Sequence, residues 1–128
     1  MLNEVPAPGG PAWTVDHPVL VELRRRRREG SRPGDRRAAD DPVKIGLAVE
    51  GGGMRGVISG GMLYALEDLG LTGAFDAVYG MSSGAINAAY FLLGESWLPL
   101  SIYYDDLTSK RFIDFARPLR AQSIMDLD

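Results

Sequence analysis

Two glycine-rich turns, each set between an apolar run and a helix-like run, constrain this 128-residue chain more than any other feature. The first is Gly51-Gly52-Gly53-Met54-Arg55-Gly56, directly after the apolar residues 43–49; the second is Gly80-Met81-Ser82-Ser83-Gly84, directly after Ala77-Val78-Tyr79. A nearly continuous apolar run is what a parallel strand shows when both its faces are covered. Residues 43–49 and 77–81 are therefore expected to be buried strands. After Gly56, apolar residues recur at Ile58, Met62, Ala65, Leu66 and Leu69, a helical spacing that predicts one buried stripe, with Gly70 just past the helix end. A second helix is expected over residues 85–93, apolar nearly all round and hence central, with Gly94 ending it. Strand, helix, strand, helix in short order predicts an α/β chain with right-handed βαβα winding on a parallel sheet.

The flanks read differently. Residues 1–42 hold six of the eight prolines and little apolar periodicity, the pattern of a mostly disordered tail that buries too little surface to offset its chain entropy. Within it a short helix is expected over residues 18–29, with Asp16 as N-cap and Val19, Leu20 and Leu23 on one face. Arg24, Arg25, Arg26, Arg27 and Arg28 form a run that would contact an anionic membrane peripherally, at about 1 kcal/mol per basic residue near the surface. The plainer reading is a solvated charge block, and twelve arginines against two lysines suggest a composition bias. Beyond Gly94, Ser96 is placed to cap a helix through Trp97, Leu100, Tyr103, Tyr104 and Leu107. Residues 111–115 and 123–128 read as connecting segments.

Charge and composition exclude several classes. The tail carries eight arginines against seven acids and residues 43–128 carry six basic residues against ten acids, so no nucleic-acid partner is implied. There is no cysteine, which removes disulfides and thiolate metal sites. The N-terminus lacks the basic and apolar regions of a secretory signal, and no run approaches the roughly eighteen apolar residues that span a bilayer. This is the pattern of a cytoplasmic protein that touches membranes from the surface if at all.

Gly80-x-Ser82-x-Gly84 between strand and helix fits a nucleophile elbow. The spacing has a steric cause: the serine occupies a strained strand-to-helix turn, and side chains two residues either side would collide. Glycine at both positions leaves the hydroxyl exposed at a helix N-terminus, where the helix dipole favours a developing negative charge. The alternative is a small-residue turn that merely lets a helix pack closely on a strand. The first turn favours the chemical reading. Gly51 to Gly56 present unhindered N–H groups at the start of a helix, which is an anion site, and beside Ser82 they would hold the oxyanion of a tetrahedral intermediate. Arg55 would fix that loop by bonding nearby carbonyls, or attract an anionic substrate. Gly51, Gly53 and Gly56 also spell the dinucleotide pattern G-x-G-x-x-G, but the acid expected at the end of the second strand is replaced by Met81-Ser82, with Asp76 before the strand instead. A P-loop fails because no Gly-Lys-Ser/Thr follows the glycines.

A serine nucleophile requires a base. The single histidine, His17, lies in the tail, and none follows Ser82 as the common hydrolase order demands. The base is therefore a carboxylate or lies elsewhere.

Gly-Gly-Gly-Met-Arg-Gly after one strand and Gly-Met-Ser-Ser-Gly after the next resemble the patatin-like phospholipase family, closely over residues 43–93 and in outline to Asp128. The resemblance implies a three-layer α/β/α sandwich with a mostly parallel central sheet, of which this chain would hold part. It implies a Ser–Asp dyad without histidine, lipid esters as substrates, and no metal or cofactor. By it Ser82 is the nucleophile, Gly52, Gly53, Met54 and Arg55 supply or shape the oxyanion hole, and Gly51, Gly56, Gly80 and Gly84 complete the motifs. The family's aspartate lies in an Asp-Gly-Gly or Asp-Gly-Ala motif downstream, and this chain contains no Asp-Gly dipeptide. Asp105, Asp106, Asp114, Asp126 and Asp128 lack that context. Residues 43–128 are thus expected to be the N-terminal portion of the domain, stopping before the aspartate and inactive alone. A non-catalytic lipid- or acyl-binding module and a nucleotide-binding α/β domain are the alternatives.

Overall fold

The structure, a computed structural model, describes residues 16–36, 41–109, 112–114, 118 and 123. The proline-rich residues 1–15 and most of the two C-terminal segments, with Asp126 and Asp128, lie outside the described residues. The elements are α1 (Pro18–Glu29), β1 (Gly46–Val49), α2 (Gly56–Asp68), β2 (Ala77–Gly80), α3 (Ser83–Leu93) and α4 (Trp97–Asp105). Short 3-10 turns cover Pro33–Asp35, Gly53–Arg55 and Thr72–Ala74. β1 and β2 are parallel neighbours, Gly46 opposite Ala77 and Val49 opposite Gly80. The α/β class expected from the strand–helix alternation is present, with α2 as the crossover.

β1 is shorter than the apolar run that announces it. The reason lies in its hydrogen bonds. The Ile45 N–H donates to Asp76 Oδ2 at 2.8 Å, and the Val43 carbonyl accepts from Arg26 Nη2 at 2.6 Å. These groups serve side chains, so the ladder starts at Gly46. Nor is β1 buried on both faces: Val49 is buried, Leu47 half-buried, and Gly46 and Ala48 exposed. Among the described residues β1 pairs with β2 alone.

α2 departs from expectation in the face it buries. Gly56, Gly60 and Leu63 are buried, whereas Ile58 is 60% and Met62 64% exposed. Glycine decides the outcome. A Cβ at Gly60 would stand 3.4 Å from both Asn87 Nδ2 on α3 and Leu100 Cδ1 on α4, so the glycine face lets three helices approach closely. The apolar stripe instead lines a groove of about 380 Å³ with Leu47, Ala48 and Val49. Gly70 ends α2 as expected: its φ is +68°, its N–H meets the Glu67 carbonyl at 2.7 Å, and the Leu71 N–H meets that of Leu66 at 2.9 Å, a Schellman motif. Gly94 ends α3 in the same way. α3 begins two residues earlier than its apolar run and buries Gly84, Asn87, Ala88 and Phe91, leaving Ile86, Leu92 and Leu93 exposed rather than enclosed. Phe91 is fully buried in the core with Ile45, Val49, Leu63, Leu71 and Phe75, whose ring it meets edge-on at 6.1 Å.

α4 starts after Ser96, but not through the serine side chain. The Ser96 N–H donates to Glu67 Oε2 at 2.9 Å, tying α4 to α2, and its Oγ is buried without a partner.

α1 spans the predicted residues with a different cap. His17 Nδ1, not the Asp16 carboxylate, accepts the Val19 N–H at 3.3 Å. The arginine run does not form one solvent face either. The Arg26 side chain is fully buried, and all five of its N–H groups have acceptors: Glu22 Oε1 at 2.9 Å, the Ala74 carbonyl and Asp76 Oδ2 at 2.8 Å, Asp41 Oδ1 at 3.1 Å, and the Val43 carbonyl. Arg24, Arg27 and Arg28 remain exposed. Asp76 is the hub, since its Oδ1 also accepts from Arg36 at 2.9 Å. Burial pushes the Asp76 carboxyl up, but the Ile45 N–H and the two guanidiniums outweigh it and hold the group well below the usual carboxylate range. Among the described residues, no helix is long and apolar enough to cross a membrane.

Candidate active site

Both glycine turns lie at the carboxyl ends of the two parallel strands, where open α/β sheets place their ligand sites. β2 runs out at Gly80, and α3 begins at Ser83. Ser82 between them takes φ +55° and ψ −130°, and among the described residues it is the one non-glycine with positive φ. Such a conformation costs about 1–3 kcal/mol and persists only where its surroundings enforce it.

The flanking glycines do the enforcing. A Cβ at Gly80 would lie 2.6 Å from the Gly84 carbonyl and from the Ala85 Cα. At Gly84 it would lie 2.5 Å from the Val49 carbonyl and 2.6 Å from that of Glu50. The first helical turn therefore sits directly on the exit of β1. The Gly84 N–H closes onto the Met81 carbonyl at 2.9 Å, and the Ala85 N–H onto that of Ser82 at 2.9 Å. Ser82 itself is exposed, with no hydrogen-bond partner for its hydroxyl among the described residues.

The first turn is brought against this serine. A Cβ on Gly51 would overlap the Met81 carbonyl and stand 3.1 Å from Ser82 Cβ. Gly52 (φ +131°) and Gly53 (φ +59°) then reverse the chain in conformations that disfavour any side chain. The Arg55 N–H donates to the Gly52 carbonyl at 3.2 Å, and the Gly56 N–H closes the turn onto Gly53 and Met54. The N–H groups of Gly52, Gly53 and Met54 precede those bonds and have no protein acceptor among the described residues. Of the four oxyanion candidates, three carry available donors. The fourth, Arg55, shapes the turn. Its guanidinium lies over Gly52 and 3.7 Å from the Glu50 carboxylate, both side chains largely exposed, rather than on a carbonyl.

The other titratable candidates sit elsewhere. His17 caps α1, Asp76 belongs to the buried arginine network, and Asp105 and Asp106 are exposed at the end of α4. A polar group directly behind the turns, formed by Asn87, Ser59 and Ser83, carries no sequence motif of its own. Asn87 Nδ2 donates to the Gly56 carbonyl at 2.8 Å, and Ser59 Oγ to the Glu50 carbonyl at 3.0 Å. A lone asparagine within Ala85-Ile86-Asn87-Ala88-Ala89 was the available clue. Chemically, the arrangement holds an exposed strained hydroxyl at a helix N-terminus next to a turn whose Gly52, Gly53 and Met54 N–H groups have no acceptor among the described residues, the two kinds of group that attack on a carbonyl requires.

A family model described as patatin-like phospholipase matches residues 47–127. An Escherichia coli (strain K12) protein named "Uncharacterized protein YjjU" is 31% identical over 87 residues, which is 68% of this chain and 24% of that protein. The chain thus spans about a quarter of the length of that relative. No solved structure matches.

Proposed function

This chain belongs to the patatin-like phospholipase family, and from that premise we propose that it carries the nucleophile and oxyanion half of a serine acyl hydrolase acting on lipid esters. The observation that carries the reading is the backbone of Ser82, held at φ +55° beside Gly51. Strain of that kind is retained where it presents a reacting group. In the proposed reaction Ser82 Oγ attacks the ester carbonyl while an aspartate outside these 128 residues takes its proton. The N–H groups of Gly52, Gly53 and Met54 receive the developing oxyanion; one such donor is worth about 2.7–4 kcal/mol of barrier. Collapse of the tetrahedral intermediate expels the alcohol, protonated by the aspartic acid, and water attacking the acyl-serine releases the carboxylic acid. Arg27 and Arg28, exposed on α1, are the groups that would face an anionic lipid surface.

The test is a fluorophosphonate probe applied to the full-length protein together with hydrolysis of a soluble acyl ester. Labelling at Ser82 and turnover are both expected, and Ser82→Ala should lower turnover by at least about 10³-fold. A folded full-length protein that takes up no probe and hydrolyses no ester overturns the reading and leaves an acyl-binding module in its place.

A further inference from the structure

The polar group behind the two turns has a purpose that packing does not supply. Asn87 is 1% exposed, on a helix whose other buried residues are Gly84, Ala88 and Phe91. An aliphatic side chain would fill that position without burying an amide. The amide is also incompletely satisfied, since Asn87 Oδ1 is buried without a partner, as is Ser83 Oγ one helical turn earlier on the same face. Keeping a costly group argues for what its satisfied half does.

Asn87 Nδ2 donates to the Gly56 carbonyl at 2.8 Å and to Ser59 Oγ at 3.3 Å. The Gly56 carbonyl can only accept, so the nitrogen must face it. Ser59 Oγ lies 3.1 Å from the same carbonyl and 3.0 Å from that of Glu50, the last residue before the glycine turn. Gly56 is the residue whose N–H closes that turn onto Gly53 and Met54. It lies so close to α3 that a Cβ there would stand 2.8 Å from Ser83 Oγ. Asn87, on the helix that follows Ser82, therefore grips the closing residue of the glycine turn, and Ser59 on α2 grips its entrance.

We propose that Asn87, supported by Ser59, is a positioning residue: it sets the register between the N–H groups of Gly52, Gly53 and Met54 and the hydroxyl of Ser82. The inference rests on the reading of those groups as oxyanion hole and nucleophile. Asn87 touches no substrate. It acts through Gly56, and alignment of this kind is exacting, because a displacement of about 1 Å in a reacting geometry costs on the order of 100-fold in rate.

The experiment compares full-length wild type, Asn87→Ala, Ser59→Ala and Ser82→Ala by steady-state hydrolysis of a soluble ester and by fluorophosphonate labelling rate, with thermal midpoints measured alongside. Asn87→Ala is expected to lower kcat and the labelling rate together by about 10- to 100-fold with KM within about twofold, because the pre-aligned N–H groups meet a full negative charge only when the oxyanion forms. Ser59→Ala should do the same by a smaller factor. A folded Asn87→Ala protein with wild-type kcat overturns the proposal. Should Asn87→Ala not fold, Ser59→Ala decides: an unchanged kcat there overturns it, and a lowered kcat at constant KM supports it. A wild type that is neither labelled nor active removes the hydrolase reading itself, an outcome distinct from labelled wild type with indifferent variants.

Discussion

The two ends of the β1–β2 pair are built on opposite rules. At the amino ends the buried charged groups Arg26 and Asp76 are fully matched. Arg26 has five acceptors, and the Asp76 carboxylate takes N–H groups from Ile45, Arg26 and Arg36, with the Asp76 N–H returning a bond to the Ile45 carbonyl at 2.8 Å. At the carboxyl ends the strong groups are left open: an exposed hydroxyl, three N–H groups without acceptors among the described residues, and a serine in a conformation that glycine would adopt more easily. The contrast teaches where this fold places its stability and where it places its chemistry. Matched groups at one end hold the strands in register, so that strain can be sustained at the other. Under the proposed function these donors stay unsatisfied until an oxyanion's charge arrives.

The sharpest way to break that contrast is to remove Arg26. A buried ion network can be worth little against an apolar replacement, yet deleting one partner leaves the others uncompensated and typically costs about 3–5 kcal/mol. Arg26→Ala is therefore expected to destabilise by that order, read as a fall in thermal midpoint, while the fraction that remains folded keeps its fluorophosphonate reactivity. A midpoint near wild type would mean that the Arg26 network is not a clasp holding α1 to the strand ends. Acid should act on the same end with a smaller effect. Because Asp76 titrates below its usual range when folded, the unfolded chain binds the extra proton first. The carboxylate's contribution is thus fully present above about pH 4–5 and is lost as pH falls through the unfolded value of about 3.9 toward the lower folded one. Thermal midpoints from pH 7 down to pH 3 should show this decline, and Arg26→Ala, whose Asp76 has lost its buried guanidinium, should show a shallower one. Parallel acid limbs in the two proteins would detach Asp76 from the stability of the strand ends.

The two ends also differ in how far they could be read from residues alone. The glycine turns were legible because their chemistry is local. Gly80, Ser82 and Gly84 occupy alternate positions within five residues of one strand–turn–helix, and the collisions that demand glycine arise between near neighbours or with the adjacent strand. The clasp was not legible, because Arg26 meets Asp41, Ala74 and Asp76 across separations that no periodicity encodes, and within five consecutive arginines nothing marks the third as buried. Helix α2 failed for another reason. Its apolar stripe and its glycine face are both plausible contact faces, and the pattern at Ile58 and Met62 cannot say that closeness through Gly56 and Gly60 takes precedence over apolar area. Asn87 stands between these cases: a single amide in an apolar helix is visible, but its partner, a backbone carbonyl on α2, is not.

The smallest expected effect is also the one that separates the two ends most cleanly, because it has the opposite sign. At the clasp, deleting one partner leaves the others uncompensated and is expected to cost stability. At Ser82, Ser82→Ala keeps a Cβ on a backbone at φ +55° and keeps the strain, whereas Ser82→Gly relieves it. Relief is worth about 1–3 kcal/mol, offset by the roughly 0.4–1 kcal/mol by which glycine's freedom favours the unfolded chain. The net expectation is that Ser82→Gly is the more stable of these two variants by about 1 kcal/mol, or about 2–8 °C in thermal midpoint across domains of roughly 60–250 residues. Their comparison isolates the backbone, since neither has the hydroxyl. Equal midpoints would show that the turn relaxes without glycine and that Ser82 is not held under strain; a higher midpoint for Ser82→Gly would show that the carboxyl end gives up stability to present this side chain.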